Sequence, residues 1–238
     1  MTIKLISFDL DDTLWAVDPV IVQANLTLYR WLETNAPAFT ANYQLEDFDH
    51  LRRIVVTEQP EIAHSVTAIR LAVLNKGLLD SGYDRATAEQ LTEAAFDVFL
   101  AARNQVELFQ HAQQMLIDLS ANYRLVALSN GNADVEKVGL GEFFEFGLNA
   151  DQVGKAKPDP LMFKQMLERA GVKADEVLHI GDHPDHDIRG AQDCGLHTLW
   201  VNFSGKPWPE GPEPDLEVRC LSEVMSYIER YNDSSRSR

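Results

Sequence analysis

Short apolar runs rich in β-branched residues recur along the chain, at 3–9 (IKLISFD), 124–129 (RLVALS), 177–181 (VLHIG) and 197–202 (HTLWVN). A weaker run lies at 143–149 (FFEFGLN). They are near-continuous rather than alternating, which predicts strands covered on both faces. Between the later runs, apolar residues recur at helical spacing over 132–139, 160–171 and 185–194, and after the last of them over 221–231. Alternation of this kind predicts an α/β fold, a doubly wound parallel sheet of the Rossmann-like type.

The interval from about residue 17 to 105 breaks the rhythm. It holds no convincing strand pattern and several helical ones. In ATAEQLTEAAFDVFLAAR, residues Leu91, Ala94, Ala95, Val98, Phe99 and Ala102 fall on one face. In VTAIRLAVLNKGLL, Ile69 and Val73 recur and Gly77 reads as a stop signal. The pattern predicts an inserted α-helical cap at 17–105 and a catalytic core formed by 1–16 and 106–232. The passages at Asp18-Pro19 and Asn104-Gln105 are expected to act as hinges. The polar tail, 233–238, is expected to be disordered.

Composition narrows the function. The 238 residues carry a formal charge of −16, which disfavours a nucleic-acid or anionic-membrane surface. No apolar run reaches the length of a membrane span, and the first residues lack a signal-peptide pattern. A cytoplasmic protein, monomer or homodimer, is expected. Two isolated cysteines, Cys194 and Cys220, are too few for a disulfide framework or a zinc site, and buried small hydrophobes are expected there.

The first strand ends in ISFDLDDTLW, with Asp9, Asp11 and Asp12 within four residues. In extended backbone Asp9 and Asp11 leave the same face, so two carboxylates meet at a strand end. Strand 124–129 ends in Ser129-Asn130-Gly131, a hydroxyl and backbone amides opening a helix, suited to phosphate oxygens. HIGDHPDHDIRGA adds Asp182, Asp185 and Asp187 at a further strand end. Such a concentration of carboxylates calls for a cation, and oxygen-only ligation points to Mg2+. In GKAKPDPLMF, Lys157 before Pro158 is a candidate partner for these carboxylates, with Lys155 competing. Pro158 is expected to hold the backbone extended and to begin the following helix. His183 and His186 read as loop residues rather than zinc ligands.

Asp9-Leu10-Asp11-Asp12-Thr13, Ser129-Asn130-Gly131, Lys157-Pro158 and Asp182 through Asp187 resemble the four ordered motifs of the haloacid dehalogenase-like hydrolases. The insert resembles that superfamily's C1 cap. The resemblance implies that Asp9 is the nucleophile forming an aspartyl-phosphate and that Asp11 is the general acid and base. It implies Mg2+ held by Asp9, the Asp11 backbone carbonyl and Asp182, with Asp187 supporting the metal ligands and Lys157. Ser129, Asn130 and Lys157 would bind the phosphate. The span His183-Pro184-Asp185-His186 is bulkier than most relatives show and leaves open whether Asp185 shares the role of Asp187.

A narrower resemblance, in DPVIVQAN, EQPEIAHSVTAIRL and SNGNADVEKVGLGEFFEFG, is to bacterial flavin-pathway phosphatases. It implies a small phosphorylated substrate such as 5-amino-6-(5-phospho-D-ribitylamino)uracil or FMN. Glu61, His64 and Arg70 are cap candidates for substrate contact, and Trp15 either lines the entrance or packs against the cap. The alternatives are a 2-haloacid dehalogenase and a non-catalytic phospho-acceptor or binding protein. Asp11 argues against the dehalogenase, because displacing halide from carbon needs no leaving-group acid.

Overall fold

The computed structural model describes residues 3–236. It divides into two compact units, residues 1–16 with 107–238 and residues 17–106.

The first unit is built on six strands, β1 (Leu5–Phe8), β2 (Arg124–Ser129), β3 (Phe146–Asn149), β4 (Val177–Gly181), β5 (His197–Val201) and β6 (Leu216–Val218). All pair in parallel in the order β3-β2-β1-β4-β5-β6, with helices on both sides. The order reverses at β1, which has β2 on one side and β4 on the other, the arrangement that opens a crevice at the carboxyl ends of the strands. Leu5, Val126, Leu128, Phe163, Met166 and Val177 lie in one continuous core cluster. Each fully buried apolar side chain of this size stabilises the fold by roughly 1.5–3 kcal/mol.

The second unit holds five α-helices, α1 (Val17–Asn35), α2 (Pro37–Asn42), α3 (Phe48–Glu58), α4 (Val66–Asp80) and α5 (Arg85–Arg103), with short 3-10 turns at Leu45–Asp47 and Pro60–Ile62. Ser65 Oγ accepts from the Ala68 N–H at 2.9 Å and Asp84 Oδ1 from the Thr87 N–H at 3.1 Å, so α4 and α5 each start at a side-chain cap. Leu28, Leu32, Phe39, Leu74, Leu78 and Phe99 form the core of this unit.

Returning to the first unit, α6 (Ala112–Ser120) precedes β2, and α7 (Val135–Val138) and α8 (Ala150–Val153) are single turns flanking β3. After them come α9 (Leu161–Ala170), α10 (Gly190–Gln192) and α11 (Val224–Arg236).

Several expectations need correction. Gly77 does not stop α4, which continues to Asp80. A Cβ at that position would lie 2.3 Å from Phe39 Cε2, so the glycine serves close approach of an aromatic ring. Asp18 and Pro19 lie within the first turn of α1, where a proline forfeits no helical hydrogen bond. The helix expected over 185–194 is a π-helical turn, Pro184–Arg189, running into the short α10. The helix expected from Pro158 begins at Leu161. Strand β6 went unrecognised because it is three residues long and pairs with β5 alone. The tail expected to be disordered begins inside α11, whose backbone is helical to Arg236, and residues 237–238 lie outside the described residues. Cys194 and Cys220 are free and half-buried. Among the described residues, no helix is long and apolar enough to cross a membrane.

Candidate active site

Parallel register decides where the polar residues arrive. Phe8 at the end of β1 is level with Ala127 and Ile180, so Asp9, Ser129 and Asp182 emerge at one rim of the sheet. The Asp9 N–H donates to the Ile180 carbonyl at 2.8 Å, extending the ladder up to the carboxylate itself. Beyond Asp9 the chain folds into a tight turn, with the Leu14 N–H on the Leu10 carbonyl at 2.8 Å and the Asp12 N–H on the Trp15 carbonyl at 2.7 Å. Asp12 takes φ 59°, a left-handed conformation that aspartate tolerates better than most residues.

Lys157 enters from the segment between α8 and α9. Asn130 holds that segment: its side-chain Nδ2 donates to the Lys157 carbonyl at 2.9 Å, and its Oδ1 accepts from the Lys157 N–H at 2.7 Å. The Asn130 amide expected to face a phosphate is therefore engaged with backbone. Lys157 Nζ donates to Asp9 Oδ1 at 2.8 Å, to Asp187 Oδ1 at 2.6 Å and to the Leu128 carbonyl at 2.6 Å. Lys155 is exposed and takes no part in this cluster.

Asp187 comes from the π-helical turn. Gly181 makes room for it, since a Cβ there would meet Asp187 Cγ at 2.4 Å. Its Oδ2 accepts from the His183 N–H at 3.0 Å, and its Oδ1 lies 3.2 Å from His179 Nε2. Asp185 is exposed and paired with Arg189, so it does not share the position of Asp187. His183 Nδ1 accepts from the N–H groups of Asp185 and His186, and the two imidazoles stack with centroids 3.8 Å apart.

Carboxylate oxygens of Asp9, Asp182 and Asp187 all lie within 4.8 Å of one another. Thr13 Oγ1 stands 3.4 Å from both Asp9 Oδ2 and Asp182 Oδ1. The residues surround a cavity of about 150 Å3, to which Asp11, Ser129, His183 and His186 also contribute.

Electrostatics sharpen the picture. Burial opposes the charge on Lys157, yet the carboxylates of Asp187 and Asp9 outweigh it and hold the ammonium protonated above the ordinary lysine range. Asp187 is buried too, but Lys157 and the bond from His179 keep it ionised below the usual carboxylate range. Asp9 goes the other way: burial, with the charges of Asp187 and Asp182, raises it well above the ordinary value despite Lys157. Asp182 is pushed up to about 7 by burial and by Asp187 and Asp12. With all three carboxylates ionised, Lys157 leaves a surplus of two negative charges. That surplus, and donors that are all hard oxygens, fit a divalent metal ion.

Trp15 does not line the entrance: it is fully buried, and its indole Nε1 donates to Asp11 Oδ1 at 2.8 Å. Glu61, His64 and Arg70 belong to the helical unit, and Glu61 is exposed. His64 Nδ1 lies 3.0 Å from the Glu61 carbonyl. The Arg70 guanidinium sits 3.6 Å over the Phe99 ring and donates to Asn25 Oδ1 at 2.8 Å, so it is engaged within that unit. Sequence reasoning missed His179, whose signal was a titratable residue inside a fully buried strand, where a polar group needs partners.

A model of the haloacid dehalogenase-like hydrolases matches residues 3–195. The chain is 33% identical over 230 residues to the 5-amino-6-(5-phospho-D-ribitylamino)uracil phosphatase YigB of Escherichia coli, covering 95% of this chain and 96% of that protein. It is 27% identical to the pyrimidine 5'-nucleotidase YjjG of the same organism, over 94% of this chain and 96% of that one. Among solved structures, one described as a 2-haloacid dehalogenase from Pseudomonas syringae superposes with a TM-score of 0.92 at 41% identity, covering 97% of this chain and all of that one. The chain belongs to the haloacid dehalogenase-like hydrolases.

Proposed function

We propose that the chain is a cytoplasmic, Mg2+-dependent phosphomonoester hydrolase that acts on a small phosphorylated metabolite through an aspartyl-phosphate on Asp9. The observation that carries this reading is the cluster of Asp9, Asp182 and Asp187 carboxylate oxygens within 4.8 Å of one another, with a further carboxylate, Asp11, two residues from Asp9. Asp9, the Asp11 backbone carbonyl and Asp182 would hold the metal, with Asp187 supporting them and Lys157. Bound there, Mg2+ would shield Asp9 from the incoming phosphate and polarise the transferring group.

In the first half-reaction an Asp9 oxygen attacks phosphorus and the bond to the leaving oxygen breaks. The electron pair goes to that oxygen, which takes the proton of Asp11. In the second, the Asp11 carboxylate takes a proton from water as the water oxygen attacks phosphorus; the bond from phosphorus to the Asp9 oxygen breaks, its electron pair returns to the Asp9 carboxylate, and phosphate leaves with Asp11 protonated again. The Ser129 hydroxyl, whose oxygen accepts from the Gly131 N–H at 2.9 Å, and the Asn130 backbone amide bind the phosphoryl oxygens as charge redistributes, joined by Lys157 Nζ once one of its donors turns from the Leu128 carbonyl. The helical insert at 17–105 serves as the cap that selects substrate.

Flavin-pathway substrates, 5-amino-6-(5-phospho-D-ribitylamino)uracil or FMN, are supported by the end-to-end similarity to YigB. A 2-haloacid dehalogenase draws support from the name of the 41% identical structure. That chemistry would leave Asp11 without a proton to deliver and the charge surplus without a purpose. The test is phosphate release from FMN, the ribitylaminouracil phosphate, sugar phosphates and nucleotides, with Mg2+ and with chelator. Magnesium-dependent release that Asp9→Asn abolishes supports the reading, and halide release from 2-haloacids without phosphatase turnover overturns it.

A further inference from the structure

The turn after β1 contains an aromatic donor that the reaction as written does not use. Trp15 is 0% exposed, and its Nε1 lies 2.8 Å from Asp11 Oδ1. Backbone bonds hold both ends of this contact. The Trp15 carbonyl accepts from the Asp12 N–H at 2.7 Å, and the Phe109 N–H donates to the Leu14 carbonyl at 2.8 Å. Trp15 also bridges to Asp11 on one side and to Leu108 on the other. With the Trp15 backbone held and its ring fully buried, the indole cannot swing away from the carboxyl without displacing the side chains packed around it.

We infer that Trp15 is a positioning residue for general-acid catalysis, fixing the orientation of the Asp11 carboxyl through its indole N–H. The inference rests on the phosphatase reading above. An indole N–H can donate but not accept, so the oxygen it touches stays an acceptor. Holding the carboxyl from one side also removes rotamer freedom that an unrestrained aspartic acid would have to lose in each turnover.

Leaving groups separate this role from a structural one. An alkyl phosphate needs a proton on its departing oxygen, whereas p-nitrophenyl phosphate departs as a stabilised anion and needs little help. For Trp15→Phe, which keeps bulk and loses the donor, kcat on glycerol phosphate should fall roughly tenfold or more, within the range general acids supply. On p-nitrophenyl phosphate the fall should stay within about twofold, with KM little changed on either. Asp11→Ala should show the same selectivity more strongly, and adding Trp15→Phe to it should cost nothing further. Equal losses on both substrates in Trp15→Phe, beside selective losses in Asp11→Ala, overturn the inference and leave the phosphatase reading intact. Equal losses in Asp11→Ala itself overturn the general-acid role on which the inference rests.

Should Trp15→Phe fail to fold, the wild-type indole resonances supply the test, since the chain has four tryptophans. The Trp15 indole proton should resonate downfield in wild type and move upfield in Asp11→Ala. An unmoved signal means the bond is not made and overturns the inference.

Discussion

The ammonium of Lys157 lies 2.6 Å from Asp187 Oδ1, with the two side chains 1% and 2% exposed. A pair this deeply buried costs much to desolvate, and removing one member strands the other. Lys157→Met leaves Asp9 and Asp187 without their shared donor, and should destabilise the metal-free protein by about 3 kcal/mol. Turnover should fall at least a hundredfold through lost phosphate binding. Chemical denaturation in chelator checks the first, and steady-state kinetics the second. A melting curve like that of wild type would contradict the electrostatic account.

Asp182 connects metal binding to pH. Its ordinary value of 3.8 is pushed up to about 7, so the folded protein holds this proton more tightly than the unfolded chain does. The contribution of Asp182 to metal-free stability is thus present below about pH 4 and lost as pH rises through about 7. A divalent ion must displace the same proton, so it binds better on the alkaline side. Thermal melts in Mg2+ and in chelator should show a larger metal-induced rise at about pH 8 than at about pH 5.5. Asp182→Ala should remove most of the rise. Equal rises at both pH values, or an undiminished rise in the mutant, would contradict the assignment.

Behind Asp187 lies His179, with Nδ1 2.8 Å from the Ser7 hydroxyl and Nε2 3.2 Å from Asp187. Burial lowers the His179 pKa against the pull of Asp187, which favours neutral imidazole. Because a carboxylate only accepts, Nε2 carries the proton and Nδ1 accepts from Ser7. His179→Leu leaves the hydroxyl and one side of Asp187 without these bonds, and should cost about 1–3 kcal/mol. His179→Gln, which can donate and accept, should recover part of that. Equal losses in the two variants would point to volume rather than hydrogen bonding.

Gly77 offers a test away from the site. Gly77→Ala forces a methyl group against Phe39 and should destabilise the helical unit by about 1–3 kcal/mol. Phe39→Leu in the same chain should relieve part of the clash, so the paired changes should cost less than the sum of the two alone. Strict additivity in denaturation would show that the two residues do not press on each other.

What was legible in the sequence follows from strand geometry. Asp9, Ser129 and Asp182 stand at the ends of apolar runs, and in a parallel sheet with level register such ends come together. The helical insert was legible because its apolar positions repeat at helical spacing through α4 and α5. What was not legible depends on partners distant in the chain or on close packing. His179 finds Ser7 across 172 positions, and Asn130 finds Lys157 across 27. Gly77 reads locally as a helix breaker, and only the Phe39 ring explains it. Trp15 and Asp11 are four residues apart, yet their bond depends on a left-handed turn at Asp12 that a run of aspartates does not announce.

The most direct test is to catch the covalent intermediate. Wild type would be mixed with a phosphoester and Mg2+, quenched in acid within a turnover, and reduced with borohydride, which converts an aspartyl-phosphate to homoserine. Peptide mass spectrometry should find homoserine at position 9 and at no other aspartate, and chelator should abolish it. Release of phosphate with Asp9 unmodified, or modification at a different carboxylate, would contradict the account.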